Sequence, residues 1–222
     1  MKGSDLALSA SAAGLELDLD LENNVVSEGT ALIAADDPKP VVGKTVATTA
    51  KKGKVTVKPR DEGKFVEIDD AVEVPVGSVI DATRGEVKIT TAVDDTTAEV
   101  QAATFAHGKF VVEQQDSGLT TLKMKGGDFS VCTAPLVKGK KNAREAQKFI
   151  KDGARGPRAK RVIRRLWGSG KGRFRTRGRF AAATVRGTAW RTIDRCDGTL
   201  IRVKKGVVIV RDVKRKRHRP AT

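Results

Sequence analysis

Lys54-Val55-Thr56-Val57-Lys58, Lys64-Phe65-Val66-Glu67-Ile68 and Val72-Glu73-Val74-Pro75-Val76 follow one another closely, and each alternates apolar with polar side chains. A repeat of two is that of a pleated strand with one face turned to a core. Working outward, Gly77-Ser78 and Arg84-Gly85 read as turns before Glu86-Val87-Lys88-Ile89-Thr90, and Gly108 and Ser117-Gly118 punctuate the strands that follow. Strand-length runs divided by turns at about 8–12 residues argue for an all-β sandwich, barrel or solenoid rather than βαβ units.

Beyond this stretch the pattern changes. Residues 1–40 form an acidic lead-in, rich in Ala, Ser, Asp and Asn and loosely ordered if alone, or the remnant of a preceding module. Within it, Leu15-Glu16-Leu17-Asp18-Leu19-Asp20-Leu21-Glu22 would make a strand with one apolar and one acidic face. Asp36-Asp37-Pro38-Lys39-Pro40 then favours an extended linker. On the other side, Ala143, Ala146, Phe149 and Ile150 recur at helical spacing, which predicts one short basic helix over 141–152. Residues 153–165, with Arg155, Arg158, Lys160, Arg161, Arg164 and Arg165, have the composition of an exposed linker. Strands resume from Gly172 to Gly178 and around Thr184-Val185-Arg186-Gly187-Thr188. Thr199-Leu200-Ile201-Arg202-Val203 turns through Lys204-Lys205-Gly206 into Val207-Val208-Ile209-Val210, which reads as a hairpin. The β domain thus spans 41–212, and 213–222 is a basic tail expected to fray.

Charge is divided unevenly. The chain of 222 residues carries a net charge of +16, yet residues 1–132 hold 14 Lys/Arg against 22 Asp/Glu, whereas residues 133–222 hold 29 against 5. A half of one sign draws partners of the other: nucleic acid, acidic polysaccharide, anionic headgroups or the chain's own acidic half. No run of about 18 apolar residues exists, so a membrane span is not expected.

Cys132 and Cys196 lie 64 residues apart, without the spacing of a zinc or CxxC redox site. A disulfide, two unrelated buried thiols and a reactive thiol are the competing readings. Cys196 sits in the turn-like Arg195-Cys196-Asp197-Gly198, where a solitary thiol would be exposed, so pairing is the more economical. A disulfide closing so long a loop is worth roughly 4 kcal/mol in the chain-entropy argument and points to an oxidising compartment. The first ten residues are too short and weakly apolar for a secretion signal, so either the signal lies outside these 222 residues or the protein is cytosolic and the disulfide does not form.

The residues that could carry chemistry are few. His107 falls in a turn and His218 in the tail, neither with a spaced partner for a metal or a triad. Asp69-Asp70 and Asp94-Asp95 are adjacent, so on a strand they face opposite sides, and they suit turns better than acid–base work. Gly168-Ser169-Gly170-Lys171-Gly172 resembles a phosphate loop only superficially: Arg165 and Gly172 stand where that motif needs Gly and Ser/Thr, and a flexible basic turn is expected instead. Arg173, Arg175, Arg177 and Arg179, by contrast, fall on one face of an extended strand, with Phe174 and Phe180 nearby, and such a row can meet phosphates or sulfates. No nucleic-acid-binding signature accompanies it, so nucleic acid ranks below other polyanions. The expectation is a non-enzymatic protein without metal or other cofactor.

Several stretches resemble FecR-like extracellular domains of the type found in actinobacteria. Val74 to Asp81, Arg84 to Ala92 and Phe105-Ala106-His107-Gly108-Lys109-Phe110 are similar to the first part of that domain. Arg165-Leu166-Trp167-Gly168, Gly172 to Phe180, Ala183 to Trp190, Asp194 to Thr199 and Gly206-Val207-Val208-Ile209-Val210 are similar to the second, so that the resemblance covers roughly residues 40–212. It implies a β-rich, often solenoid-like, domain outside the cytoplasm, with Cys132 and Cys196 in positions expected to pair. The expectation that follows is a secreted or surface-displayed structural or adhesive module binding an acidic polymer through its basic half. A FecR-type signalling module is the alternative, and an intracellular nucleic-acid binder, which requires reduced cysteines, is a further one.

Overall fold

The computed structural model describes residues 33–34, 39–132, 159–213 and 218–221. The helix expected over 141–152 and the linker residues 153–158 lie outside them, as does most of the acidic lead-in; no α-helix occurs among the described residues. The chain is mainly β. In order, the strands are β1 (Ile33–Ala34), β2 (Thr45–Lys58), β3 (Val66–Glu67), β4 (Ala71–Pro75), β5 (Val79–Ala92), β6 (Val100–Ala106), β7 (Lys109–Gln114) and β8 (Thr120–Lys125). After one 3-10 turn, Ser130–Cys132, come β9 (Val162–Lys171), β10 (Phe174–Arg177), β11 (Ala181–Arg195), β12 (Gly198–Asp212) and β13 (His218–Ala221).

Two long ribbons organise the sheet. In the first, β2 pairs antiparallel with β5 from Lys58↔Val79 to Ala47↔Thr90; in the second, β11 pairs with β12 from Ala181↔Asp212 to Arg195↔Gly198. Each ribbon bends midway and so serves two layers. One half of β5 pairs with β6 and the other with β7; one half of β11 pairs with β9 and the other with β10. β6 joins β9, β7 joins β8, and β8 joins β10 in parallel, so hydrogen bonds run round a closed circuit β5-β6-β9-β11-β10-β8-β7. Strands that pass from one layer to the other through bulges are a known way to turn the corners of a β-sandwich. The described strands thus form one large mixed sheet whose hydrogen bonds close on themselves through the two bent ribbons.

The corners lie where the sequence suggested turns. Arg84-Gly85 does not end a strand: β5 runs through it, because Gly85 faces Gly53 across the ribbon, where β2 has register shifts on either side. A Cβ on Gly85 would stand 2.6 Å from the Lys54 carbonyl oxygen, so only paired glycines let the two backbones fold together here. Lys204-Lys205-Gly206 likewise makes no hairpin. β12 continues from Gly198 to Asp212, opposite register shifts between Arg186 and Trp190, and its hairpin partner is β11, through the turn at Cys196-Asp197. Gly168 to Lys171 belongs to β9 rather than to a flexible turn. Its glycines leave room for neighbours, since a Cβ on Gly168 would meet the Trp190 ring at 2.6 Å and one on Gly170 the Ala103 side chain at 2.4 Å. β9 also takes in Val162 to Arg165 from the expected linker, and His218–Ala221 of the tail pairs with β12 as β13.

Between the layers sits one apolar core. Phe105 is its centre, with ring centroids 5.7 Å from Phe110, 5.9 Å from Phe174 and 5.9 Å from Trp190, in tilted or edge-on packing. Val46, Val55, Val57, Ile80, Ile89, Leu122 and Leu166 surround them, fully buried. The Trp190 indole N–H donates to Thr176 Oγ1 at 3.0 Å, and Thr176 in turn shares a hydrogen bond of 2.6 Å with Thr192, so these three polar groups satisfy one another.

Candidate functional site

β10 keeps the alternation read from its sequence. Phe174 and Thr176 point into the core, and Arg175 and Arg177 emerge on the outer face. Cross-strand register then adds neighbours that sequence spacing alone does not show. One row across the layer is Glu113, Thr121, Arg175, Thr184 and Ile209; the next is Val111, Lys123, Arg177, Ala182 and Arg211. Strands are about 4.8 Å apart, so Lys123 stands beside Arg177, while the buried Ala182 separates Arg177 from Arg211 in the row. Lys123, Arg175, Arg177 and Arg211 thus converge on one face from three strands far apart in sequence. Neither Lys123 nor Arg211 was singled out by spacing, and only pairing register reveals them.

The members of the row differ in how they are held. Arg175 is half-buried, and its Nε donates to Thr184 Oγ1 at 3.0 Å. Burial, then the nearby Arg211 and Arg177 charges, pull its guanidinium below the ordinary arginine range. Arg177 is exposed. Arg173 is exposed at the entry to β10, with a long contact of 3.4 Å from its Nη2 to the Val93 carbonyl. Glu113, 3.6 Å from Lys123, is the acid of this face, and both side chains are more than two-fifths exposed.

Arg179 lies beyond the end of β10, in the turn to β11. Its backbone N–H donates to both carboxylate oxygens of Asp194 at 3.0 Å, and its guanidinium lies 4.3 Å from the centroid of Phe129. Asp194 is fully buried and also accepts from Arg164 Nε at 2.7 Å and from the Thr199 hydroxyl. Arg164 in turn packs over Phe129, 5.2 Å away. One carboxylate therefore ties β9, the β10–β11 turn and β12 together. Beside this cluster a disulfide joins Cys132 to Cys196 with the Cα atoms 5.2 Å apart, linking the segment after β8 to the β11–β12 turn. Of the three readings of the cysteines, the paired one holds.

An open cleft of about 590 Å³ is lined by Asp81, His107, Lys109, Lys125 and Arg164, among others. Its charges are largely engaged: Lys109 Nζ is 2.8 Å from Asp81 Oδ2, and Arg164 is held by Asp194. The Asp81 carboxyl lies below its usual range; burial opposes this, but hydrogen bonds from Lys109 and Thr83 outweigh it. His107 lines the cleft from a turn with φ 62°. Among the described residues no group of three or more His, Cys, Asp or Glu could hold a metal ion, and no helix is long and apolar enough to cross a membrane.

No protein family, curated protein or solved structure matches this chain.

Proposed function

We propose that this chain is a non-enzymatic, FecR-like β domain, secreted or displayed on the cell surface, which binds an acidic polymer through the outer face of β8, β10 and β12. The observation that carries the reading is the convergence of Lys123, Arg175, Arg177 and Arg211 on two adjacent cross-strand rows, with Arg173 at their end. A flat sheet face with cations at strand spacing suits a repeating anion better than a small ligand, which takes a concave site. The Cys132–Cys196 disulfide supports the oxidising exterior as its location.

Retention on immobilised polyphosphate and heparin across a salt series tests this. Replacing Arg173, Arg175 and Arg177 by Gln should reduce the slope of log affinity against log salt by about 2, at roughly 0.7 for each phosphate no longer neutralised. A control removes the same charge elsewhere, replacing the exposed Lys51, Lys52 and Lys64 by Gln. Equal weakening in both variants would reduce the effect to net charge and sink the assignment of this face. Preference for single-stranded oligonucleotides over both polymers would favour the nucleic-acid reading instead.

A further inference from the structure

The outer edge of β12 is only partly covered. Val208 to Arg211 pairs with β13, whereas from Thr199 to Gly206 no pairing to the side away from β11 occurs among the described residues. An open edge presents unpaired N–H and C=O groups and invites a further strand. This one has a defined chemistry. Ile201 and Val203 pack against the core on its inner side, Arg202 is exposed on its outer side with the exposed Arg191 directly opposite on β11, and the exposed Lys204 follows at the register shift. The occupant that matches must be apolar at every second residue and acidic between.

Residues 15–22, outside the described ones, have that pattern: Leu15, Leu17, Leu19 and Leu21 alternate with Glu16, Asp18, Asp20 and Glu22. The stretch of β12 outside the β13 pairing, Gly198–Val207, is ten residues long, enough to take this run of eight. In register, the leucines would extend the apolar row of Ile201 and Val203 while the acids lie beside Arg202 and Lys204.

We infer that Leu15–Glu22 of one copy adds as a strand to the Thr199–Gly206 edge of β12 in a second copy, so that the protein assembles head to tail. Reach argues for exchange between copies. Ile33 in β1 is at the other end of the strand order β1-β4-β2-β5-β6-β9-β11-β12, and a strand added beyond β12 lies eight spacings of about 4.8 Å from it, about 38 Å measured along the curved sheet. Eleven extended residue steps from Glu22 to Ile33 span at most about 36–40 Å, which leaves no slack for a path over the surface. Because segment and edge are different surfaces, the contact is heterologous and gives rings or open chains. It uses none of the cations assigned to polymer binding.

Sedimentation of the full chain over a wide concentration range tests the exchange. The mass average should climb beyond a monomer with concentration. L17P/L19P, which blocks pairing in the donated strand, should weaken association by more than tenfold. Two charge reversals, D18K/D20K and R202E/K204E, should each weaken association alone and restore it when mixed, an outcome that misfolding cannot mimic. A full chain that stays monomeric throughout, association unaffected by L17P/L19P, or a mixture that fails to recover would overturn the inference. So would protection of the Thr199–Gly206 amides from hydrogen exchange in a monomer, since the edge would then be occupied within one chain.

Discussion

The two bent ribbons solve the same geometric problem and are secured by different means. Both carry a chain from one layer to the other through a bulged corner. The β2–β5 ribbon is flanked by strands: β4 and β3 pair along the outer edge of β2, and its ion pairs, such as Lys54–Glu67, lie at the surface. Among the described residues the β11–β12 ribbon has a long unpaired edge on β12, and its turn end is fastened instead by the buried Asp194 and the Cys132–Cys196 disulfide. A ribbon can thus be held by neighbours along its edge or by a clamp at its end, and the clamp leaves the edge free for other use.

If the clamp carries the second ribbon, breaking it should have the largest effect. Asp194→Ala leaves Arg164, whose side chain is 17% exposed, without its carboxylate and removes the acceptor of the Arg179 N–H and the Thr199 hydroxyl. The expected loss is roughly 3–5 kcal/mol, the cost of leaving one partner of a buried pair uncompensated. Urea unfolding measures it, and a loss below about 1 kcal/mol would show that the carboxylate only accompanies the fold. The covalent half of the clamp comes next. C132S/C196S should cost roughly 4 kcal/mol, less any strain released, and should remove the sensitivity of the wild-type urea midpoint to reductant. An unchanged midpoint in the variant would mean that the non-covalent contacts alone position the turn.

The corners offer a finer comparison. Gly53 has φ 66°, and a Cβ there would lie 2.4 Å from the Arg84 carbonyl oxygen; Gly187 has φ 62° with nothing within 4 Å. Gly53→Ala therefore meets both a left-handed backbone and a backbone clash, and should cost about 3 kcal/mol, whereas Gly187→Ala meets the backbone preference alone, at about 1 kcal/mol. Equal losses measured in the same unfolding experiment would show that the first corner opens to accommodate the methyl group.

These corners also mark what the sequence could and could not say. Val55 and Val57, or Phe174 and Thr176, are strictly local: alternation puts them inside, and they are inside. Arg84-Gly85 and Lys204-Lys205-Gly206 carry the composition of turns, because a sharp bend within a strand needs the same residues as a reversal. What separates the two is the partner strand, where Gly53 or the bulge near Ala189 allows the ladder to continue, and that information is tens of residues away. The site follows the same division. The facing of Arg175 and Arg177 was readable from period two; Lys123 and Arg211 needed cross-strand register; and the bond from the Arg179 backbone to Asp194 of β11 could be read from neither. One signal was available for that partner. Trp190, Thr192 and Asp194 share an alternating face, so the acid had to be inside with its tryptophan neighbour and in need of donors.

The smallest effect concerns the other acid in a comparable position. Asp94 follows the end of β5 as Asp194 closes β11, but it lies near the surface, and its partners are local. Its Oδ1 accepts from the Thr97 N–H at 2.7 Å, the Thr96 N–H at 3.0 Å and the hydroxyls of both residues, a small turn built around one oxygen. Hydrogen bonds from Thr97, first through its backbone, then its side chain, and then from Thr96 hold the carboxyl at about 2, below the usual 3.8. A depressed folded value means that the ordering of this turn is complete above about 4 and is lost as pH falls through about 2. The amide resonances of Thr96 and Thr97 should therefore titrate with a midpoint near 2 and lose that transition in Asp94→Ala, with the β11–β12 ribbon unaffected in both. A midpoint at the ordinary aspartate value would show that the turn is not held by the ionised oxygen, and a simultaneous change at Thr199 would show that the two ends are coupled rather than independent.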